Sequence, residues 1–457
     1  MNLAWLSVGA LVVAVVLSCT TTINIGVLAL ALALVVGVGL GGMDPDTVIA
    51  GFPTDLLFTL VAVTLLFSIA NVNGTLAHLT DRAVRLCKGN ALALPIMFFT
   101  VGFVIATIGA GATPASALLA PPAMAAAARV GIPPLLMAIM AGNGVLAGTL
   151  SPFSPTGIVA HGVMERIDLA GYEWHTFAYN AVFHLIVGVA GFALLGGWKF
   201  VRNRGVVDAE AANSDTSAGT MPDPAAAGVA QGADLVASAD TETAARPGEA
   251  GTVPVSAASA PFETRHWLTS AGIAGLVIAV VGFSIEVGMA AIIIAAVLIL
   301  LRTVDEGAAI KRMPWGVILM VTGVTVLITM MRETQGLDLI VNGIASISTP
   351  ATVNPIVAFI AGLISVYSST SGVVLPAFLP MVPSLAEQLG GIEPLNIAWS
   401  MAVSASLVDL SSLSTVGALY MASAAEGTDM RRLFNSLLIW GLAMSVVGAL
   451  MCWLWFG

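Results

Sequence analysis

Two hydroxyl-rich stretches interrupt apolar segments of this chain at matching places. Residues 150–157 read LSPFSPTG and residues 410–417 read LSSLSTVG, compositions that disfavour a continuous α-helix. A lipid bilayer cannot satisfy the backbone groups that such a break frees, so the break must be buried in protein or line a cavity. Paired interruptions in the two halves of a membrane chain indicate a binding site for a transported solute.

The composition excludes an ordinary soluble globular protein. The 457 residues are 58% hydrophobic and only 9% charged, against roughly 25% charged in soluble domains. Nine carboxylates lie between residues 208 and 263, so the formal charge of −10 indicates no nucleic-acid partner. The three cysteines fit no metal or redox spacing, and they predict neither a metal site nor a disulfide.

Ten apolar runs are long enough to cross a bilayer, which takes roughly 17 to 25 residues. They lie near residues 3–19, 22–41, 54–71, 133–164, 176–200, 267–283, 285–302, 315–331, 395–424 and 433–456. Two segments that mix charged and apolar residues, 74–89 and 333–346, are predicted to be helices in the membrane plane.

Two further apolar segments, residues 91–130 and 351–390, are split near their centres by small and hydroxyl residues. Each is either two crossings or one re-entrant hairpin, and the prolines of the second arms favour the hairpin. If both segments are counted as hairpins, all Lys and Arg residues except Arg166 and Arg332 fall on one side of the membrane, as the positive-inside rule requires. We therefore predict a multi-pass membrane protein with both termini extracytoplasmic.

The two halves of the chain repeat each other. Residues 131–157 align without a gap with residues 391–417, with nine identities in 27 positions. A polar stretch, 201–265, separates the halves 1–200 and 266–457, and its composition predicts a disordered cytoplasmic linker. Each half has five spans, an odd number, so the second half is expected to be inverted.

The predicted fold class is an all-α polytopic membrane protein of two inverted repeats, each with five transmembrane helices and one re-entrant hairpin. The first repeat contains hairpin 91–130 and broken helix 133–164, and the second contains hairpin 351–390 and broken helix 395–424.

An anion bound at membrane depth needs donors, and cationic side chains are almost absent there. Hydroxyl groups and the free N–H groups at helix N-termini are the donors that remain. The hairpin tips supply Thr113, Ser116, Ser369, Thr370 and Ser371, and the interruptions supply Ser151, Ser154, Thr156, Ser411, Ser414 and Thr415. A single Ser or Thr more often bonds to its own helix, but four symmetric clusters favour a binding site.

Asp409 is the one carboxylate well inside an apolar span. Intramembrane ionisable residues are functional by default, so Asp409 is a candidate for coupling to Na⁺ or H⁺. The alternative is a structural anchor that is hydrogen-bonded to Ser404, Ser406 or Ser412.

Two other polar residues, Asn143 and Glu286, are weaker candidates, and two histidines in apolar surroundings are not counted as site residues. Asn143 is expected to join two helices by hydrogen bonding, and Glu286 lies at a predicted outer boundary. His161 and His184 form no metal-ligand spacing, and a hydrogen-bonded packing role is preferred to a proton relay.

These elements resemble the ion transporter superfamily, with its divalent anion/Na⁺ symporters and, more closely, the bacterial malonate and dicarboxylate carriers of the MatC type. The hairpin motifs are residues 111–113 (GAT), ahead of Pro121, and 368–376 (SSTSGVVLP). The interruption motifs are residues 147–152 (AGTLSP) and 406–411 (SLVDLS). The symporters have Ser-Asn-Thr at the first tip, of which this chain keeps only the threonine.

The resemblance implies that the hairpin tips and broken helices bind a dicarboxylate and Na⁺, with Thr113 and Thr370 serving the cation beside Asp409. It also implies a homodimer in the bacterial cytoplasmic membrane, in which one domain moves across the lipid bilayer against a fixed scaffold. We therefore expect a secondary active transporter of a small dicarboxylate such as malonate or succinate, coupled to Na⁺ or H⁺ by elevator-type alternating access. No cofactor is expected apart from bound Na⁺ in the sodium-coupled case.

A cation/proton antiporter of the same superfamily is the alternative, in which Asp409 carries the exchanged ions and no organic anion binds. A channel is a third class. An enzyme is not expected, because Ser151 lacks a Gly-x-Ser-x-Gly setting and Asp409 lacks a second intramembrane aspartate. The chain also has no Gly-x-x-x-x-Gly-Lys-Ser/Thr motif for ATP.

Overall fold

The chain is all-helical over the residues that the structure describes. The computed structural model describes residues 2–20, 23–86, 93–197 and 262–457, which contain helices and no strand. The first half contains α1 (Leu3–Thr20), α2 (Ile25–Ala33), α3 (Pro45–Ala50), α4 (Thr54–Val72), α5 (Thr75–Leu86), α6 (Ala93–Ile105), α7 (Ala112–Val130), α8 (Pro134–Ala147), α9 (Pro155–Glu165) and α10 (Glu173–Leu194).

The second half follows the same plan. It contains α11 (Thr264–Val277), α12 (Val287–Leu300), α13 (Glu306–Lys311), α14 (Trp315–Glu333), α15 (Gly336–Ile347), α16 (Val353–Tyr367), α17 (Leu375–Phe378), α18 (Val382–Gln388), α19 (Pro394–Val408), α20 (Thr415–Ala422) and α21 (Met430–Phe456). π-helical turns extend α2, α6 and α11 through Leu34–Leu40, Ala106–Ala110 and Ile278–Gly282, and another, Thr370–Val374, leads into α17.

Six of the described helices are long and apolar enough to cross a membrane. They are Thr54–Val72, Ala93–Ala110, Glu173–Leu194, Thr264–Gly282, Trp315–Glu333 and Met430–Phe456. Each of the ten apolar runs predicted from the sequence coincides with one helix or with two helices separated by an interruption. The prediction of an all-helical polytopic membrane protein is therefore confirmed, while the inverted orientation of the repeats stays a prediction.

The segment between the halves is only partly described. Most of the predicted linker, residues 201–265, lies outside the described residues, and α11 begins at Thr264, just before the predicted start of the second repeat. The two predicted in-plane segments occur as helices α5 and α15. Their orientation in the membrane stays a prediction.

The order of the helices is the same in both halves. The short helices α3 and α13 take equivalent places in that order, although six residues are too few for the hydropathy pattern to predict them. Helix α2 packs on α14 while α12 packs on α4, the exchange expected for repeats related by a two-fold axis. The N-caps correspond as well, since Asn24 accepts from the N–H of Gly26 and Glu286 accepts from that of Gly288.

Helices α2 and α14 approach each other backbone to backbone. A Cβ atom on Gly26 would lie 2.0 Å from the carbonyl oxygen of Leu319, and one on Gly323 would lie 2.0 Å from that of Gly26. The Asn24 amide also donates to the Gly316 carbonyl at 2.8 Å. Lipid tails are as apolar as leucine, so such close packing and hydrogen bonding hold membrane helices together.

The hairpins and broken helices form one group. Helices α6, α7 and α8 pack together, α16, α19 and α21 do likewise, and α10 joins the halves by packing on α19. The other long helices form a second group through the α2–α14, α4–α12 and α1–α15 contacts. All the interruptions of the main chain that the sequence predicts thus lie within the first group.

We predict that Gly26→Ala lowers the free energy of unfolding by about 1–3 kcal/mol, because the added methyl overpacks against main chain of the other half. Gly39→Ala is the matched control, since a Cβ there meets no atom within 4 Å. Unfolding of the purified variants in detergent measures the difference. Equal stability of the two variants would contradict the close contact of α2 with α14.

Candidate functional site

The main chain leaves the helical path at all four places where the sequence predicts a break. In the first half, α6 and α7 are separated at Gly109 (φ 119°) and Gly111 (φ 78°), and α8 and α9 by residues 148–154. In the second half, α16 ends before residues 368–369, and α19 and α20 are separated by residues 409–414. Only glycine adopts the positive φ values of the first tip without strain.

Each interruption between helices lies against the hairpin of its own half. The Ser151 hydroxyl donates to the Thr107 carbonyl at 2.6 Å, and the Ser411 hydroxyl donates to the Val366 carbonyl at 3.3 Å. The two contacts are equivalent, one within each half. Carbonyl groups freed near the hairpin tips are thereby satisfied inside the protein, as a membrane interior requires.

The two halves meet at the same place. Helix α20, which follows the second interruption, packs on α7 of the first hairpin. Helix α9, which follows the first interruption, packs on α17 of the second hairpin. The four breaks and the first turns that follow them therefore converge, and we call this convergence the central site.

The central site contains the positive ends of helices from both halves. The first-turn N–H groups of α7, α9 and α20 have no intrahelical acceptor, and each helix start carries a partial positive charge. Serine side chains cap some helix starts, since Ser414 accepts from Gly417 N–H of α20 at 3.1 Å and Ser369 accepts from Gly372 N–H, in the π-helical turn before α17, at 3.3 Å. Ser154, at the start of α9, makes no such capping bond, and its buried hydroxyl has no hydrogen-bond partner.

Asp409 lies in a compact group of oxygen atoms. Its Oδ1 atom accepts hydrogen bonds from the Thr370 hydroxyl at 2.7 Å and the Ser365 hydroxyl at 3.1 Å. Those two hydroxyls are 2.6 Å apart, and Thr370 also lies 3.1 Å from the Ala405 carbonyl. One carboxylate, two hydroxyls and a carbonyl next to an unwound helix are the ligand types that hold a small cation in transporters. We call these four residues the Asp409 cluster.

None of the three serines expected to hydrogen-bond to Asp409 does so in the structure, so the predicted anchoring contacts are wrong. Ser404 donates to the Ala358 carbonyl at 2.7 Å, and Ser406 lies 3.1 Å from His184 Nε2. The buried hydroxyl of Ser412 has no hydrogen-bond partner.

The described residues of the first half contain no counterpart of the Asp409 cluster. Thr149, which aligns with Asp409, donates to the Leu146 carbonyl of its own helix at 2.7 Å. Residues 105–115 and 147–157, which form the first tip and the first interruption, contain no carboxylate. The two repeats therefore share a backbone arrangement but differ in the charge that they place at the central site.

The predicted site residues differ in burial. Ser116, Ser151, Ser154, Thr156, Thr370 and Ser411 are buried, Ser369, Ser371 and Ser414 are half-buried, and Thr113 and Thr415 are exposed. Thr113 stands in the first turn of α7 and Thr415 opens α20, so both occupy the helix ends that converge at the central site.

The first part of the chain has a family match. Residues 1–149 match the family model for the dicarboxylate carrier protein MatC N-terminus. The resemblance to MatC-type carriers is confirmed. The match runs from the N-terminus through α8 and ends at the first interruption, so it includes the whole first hairpin. A search of curated proteins finds no significant match.

Two residues near the central site are not predicted from the sequence pattern. Ser365 belongs to the Asp409 cluster but stands within α16, one turn before the break. Tyr420 is fully buried in α20, next to Ser116 of α7, and neither hydroxyl makes a hydrogen bond of good geometry. Both residues could be found from the sequence as polar side chains that lie within two helical turns of a break, on the buried face of their helix.

We predict that Ser151→Ala lowers the free energy of unfolding by about 1–2 kcal/mol, because it removes a hydrogen bond to a buried carbonyl. Ser411→Ala should cost less, since its bond is longer, at 3.3 Å against 2.6 Å. Ser423→Ala is the control, because that hydroxyl bonds only within its own helical stretch. Unfolding in detergent gives the ranking, and a larger loss for the control than for Ser151→Ala would refute it.

Proposed function

We propose that this protein is a secondary active transporter of a small dicarboxylate, coupled to Na⁺ or H⁺. The observation that carries the proposal is the convergence of the four interruptions around hydroxyl groups and helix N-termini, with one carboxylate among them. The MatC match over residues 1–149 supports the substrate class, malonate or succinate being examples.

The donors of the central site suit a carboxylate ligand. Free N–H groups at helix starts and hydroxyl side chains bind anions without a cationic side chain. The starts of α7, α9 and α20 come from both halves, so they can approach a ligand from different directions. A small dicarboxylate has two anionic ends, and two sets of donors related by a repeat suit such a molecule.

The Asp409 cluster is the proposed coupling site. Its carboxylate and hydroxyl oxygens suit either Na⁺, through coordination, or a proton, through protonation of the carboxylate. Thr113 is proposed to contribute at the opposite tip, where it lies exposed at the start of α7. The second repeat then supplies the charged part of the coupling site, because the aligned position in the first repeat is Thr149.

The division of the helices into two groups supports elevator-type alternating access. The group that contains both hairpins holds the central site, and the group built on the α2–α14 and α4–α12 contacts is the proposed scaffold. Helices α5 and α15 connect the scaffold helices α4 and α14 to the hairpins that follow them. Movement of the first group against the second would carry the site across the membrane.

Uptake into proteoliposomes tests the proposal. We expect labelled malonate or succinate to accumulate only under an imposed Na⁺ or proton gradient, and Asp409→Asn to abolish that dependence. Asp338→Asn, at an exposed position of α15, is the control and should leave uptake unchanged. Equilibration without any gradient would refute coupling, and failure to take up any dicarboxylate would refute the substrate class.

The role of the hydroxyl groups is tested by Thr370→Val. We expect this change to raise the KM for the dicarboxylate or for the cation by about tenfold, because the loss of one polar contact weakens binding by about that factor. Thr322→Val is the matched control, since that buried hydroxyl bonds only to carbonyls of its own helix α14. Equal kinetics for the two variants would count against the Asp409 cluster as a coupling site.

A cation/proton antiporter is the second candidate, and the presence of a lone carboxylate at the central site favours it. In that case Asp409 alone carries the exchanged ions. A thermal-shift screen separates the two functions, because dicarboxylates should stabilise the carrier and leave the antiporter unchanged.

A further inference from the structure

Helix α10 carries a buried polar stripe that contacts both halves of the protein. Thr176, Asn180 and His184 are spaced four residues apart, so they lie on one face of the helix. All three are fully buried. Helix α10 as a whole is apolar and long enough to cross a membrane. Buried polar side chains at this spacing need partners on neighbouring helices, and each of the three has one.

His184 bridges the two helices that lead into the interruptions. Its Nδ1 atom lies 2.9 Å from the Asn143 Oδ1 atom on α8, and its Nε2 atom lies 3.1 Å from the Ser406 hydroxyl on α19. The Asn143 amide nitrogen donates to the Ile139 carbonyl, so its oxygen must accept. This assigns the proton to Nδ1 and makes Nε2 the acceptor of the Ser406 O–H.

Asn180 and Thr176 extend the bridge along α10. The Asn180 amide donates to the Leu146 and Ala147 carbonyls, at 2.9 and 3.1 Å, which are the last residues of α8 before the first interruption. The Thr176 hydroxyl accepts from the Trp399 indole N–H on α19 at 3.0 Å. Helix α10 is thus hydrogen-bonded to the end of α8 in the first half and to two positions along α19, Trp399 and Ser406, in the second half.

The equivalent helix of the second half lacks this stripe. Where α21 approaches the second interruption it has Gly441, whose Cβ would lie 2.5 Å from that of Ser411, and further along it has Gly448 against Ser404. The face of α21 between these glycines carries one buried hydroxyl, Ser445, which bonds within its own helix. The stripe of three polar side chains on α10 is therefore a feature of one repeat alone.

We infer that the hydrogen bonds of Thr176, Asn180 and His184 hold α8 at a fixed position along α19, and we call these three residues the strap. The strap thereby fixes the position of the first interruption relative to the second, which makes its members positioning residues of the central site. Ser406 stands three residues before Asp409, and Ala147 stands directly before the first interruption. A shift of α8 along α19 would break the strap and separate the donors of one half from those of the other. The consequence for transport rests on the proposed function, whereas the fixed geometry does not.

Distance measurement tests the geometry without any assay of transport. Spin labels are attached at Glu165→Cys on α9 and Ala418→Cys on α20, both exposed, in the full chain with its three native cysteines replaced by alanine. Pulsed electron paramagnetic resonance should give one narrow distance distribution. His184→Leu should broaden or shift this distance distribution. Ser406→Ala should do the same, because it removes the hydrogen bond to His184 with the loss of a single heavy atom. Ser445→Ala, at a buried hydroxyl of α21 that bonds within its helix, should leave it unchanged.

Transport kinetics separate positioning from folding. His184→Leu should raise the KM for the dicarboxylate about tenfold while the yield of folded protein stays near that of Ser445→Ala. His184→Gln, whose amide keeps one of the two bonds, should recover part of the loss. Adding Ser406→Ala to His184→Leu should change the KM little further, because the leucine variant already lacks the contact between residues 184 and 406.

The outcomes distinguish the strap from the proposed function. An unchanged distance distribution in both His184→Leu and Ser406→Ala would overturn the strap, whatever the transport results. A wild-type protein that takes up no dicarboxylate would overturn the proposed function, while the distance measurement would still decide the strap.

Discussion

Main chain inside a membrane must find its hydrogen-bond partners within the protein, and the whole central site depends on this constraint. Ser151 and Ser411 satisfy carbonyls of their own hairpins, and Asn180 satisfies the two carbonyls that precede the first interruption. Each interruption is consequently stable only while its hairpin lies against it. A hairpin and the neighbouring broken helix therefore form one structural unit, and the two units meet through the α7–α20 and α9–α17 contacts.

The two repeats use one backbone plan with different side chains. Asp409 aligns with Thr149, and the polar face of α10 corresponds to the glycine-lined face of α21. Helix ends and hydroxyl groups are supplied by both halves, whereas the carboxylate is supplied by one. In the proposed carrier, the shared features would serve the anion and the unshared carboxylate would serve the cation, so one repeated backbone plan would provide two kinds of site.

Much of the helical arrangement was predictable because hydropathy and helix breakers are local properties of the sequence. The bounds of α4, α14 and the broken helices follow from apolar runs and from the serine-rich stretches within them. Side-chain partners were not predictable in the same way. Asp409 contacts Ser365 and Thr370, which are 44 and 39 residues away, and His184 contacts Ser406 at a separation of 222 residues. Such pairs depend on how helices pack, which the hydropathy pattern leaves open.

The electrostatics of the Asp409 cluster give a reason for coupling in the proposed carrier. Among the residues that the structure describes, no Lys, Arg or His side chain forms an ion pair with Asp409, whose hydrogen-bond donors are neutral hydroxyls. A carboxylate removed from water without a counter-charge is costly, and a second anion at the same site adds like-charge repulsion. In the proposed carrier, Na⁺ or H⁺ at Asp409 would remove the negative charge before the dicarboxylate binds. Binding of the cation would then be a precondition for binding of the anion, and this requirement is the proposed basis of coupling.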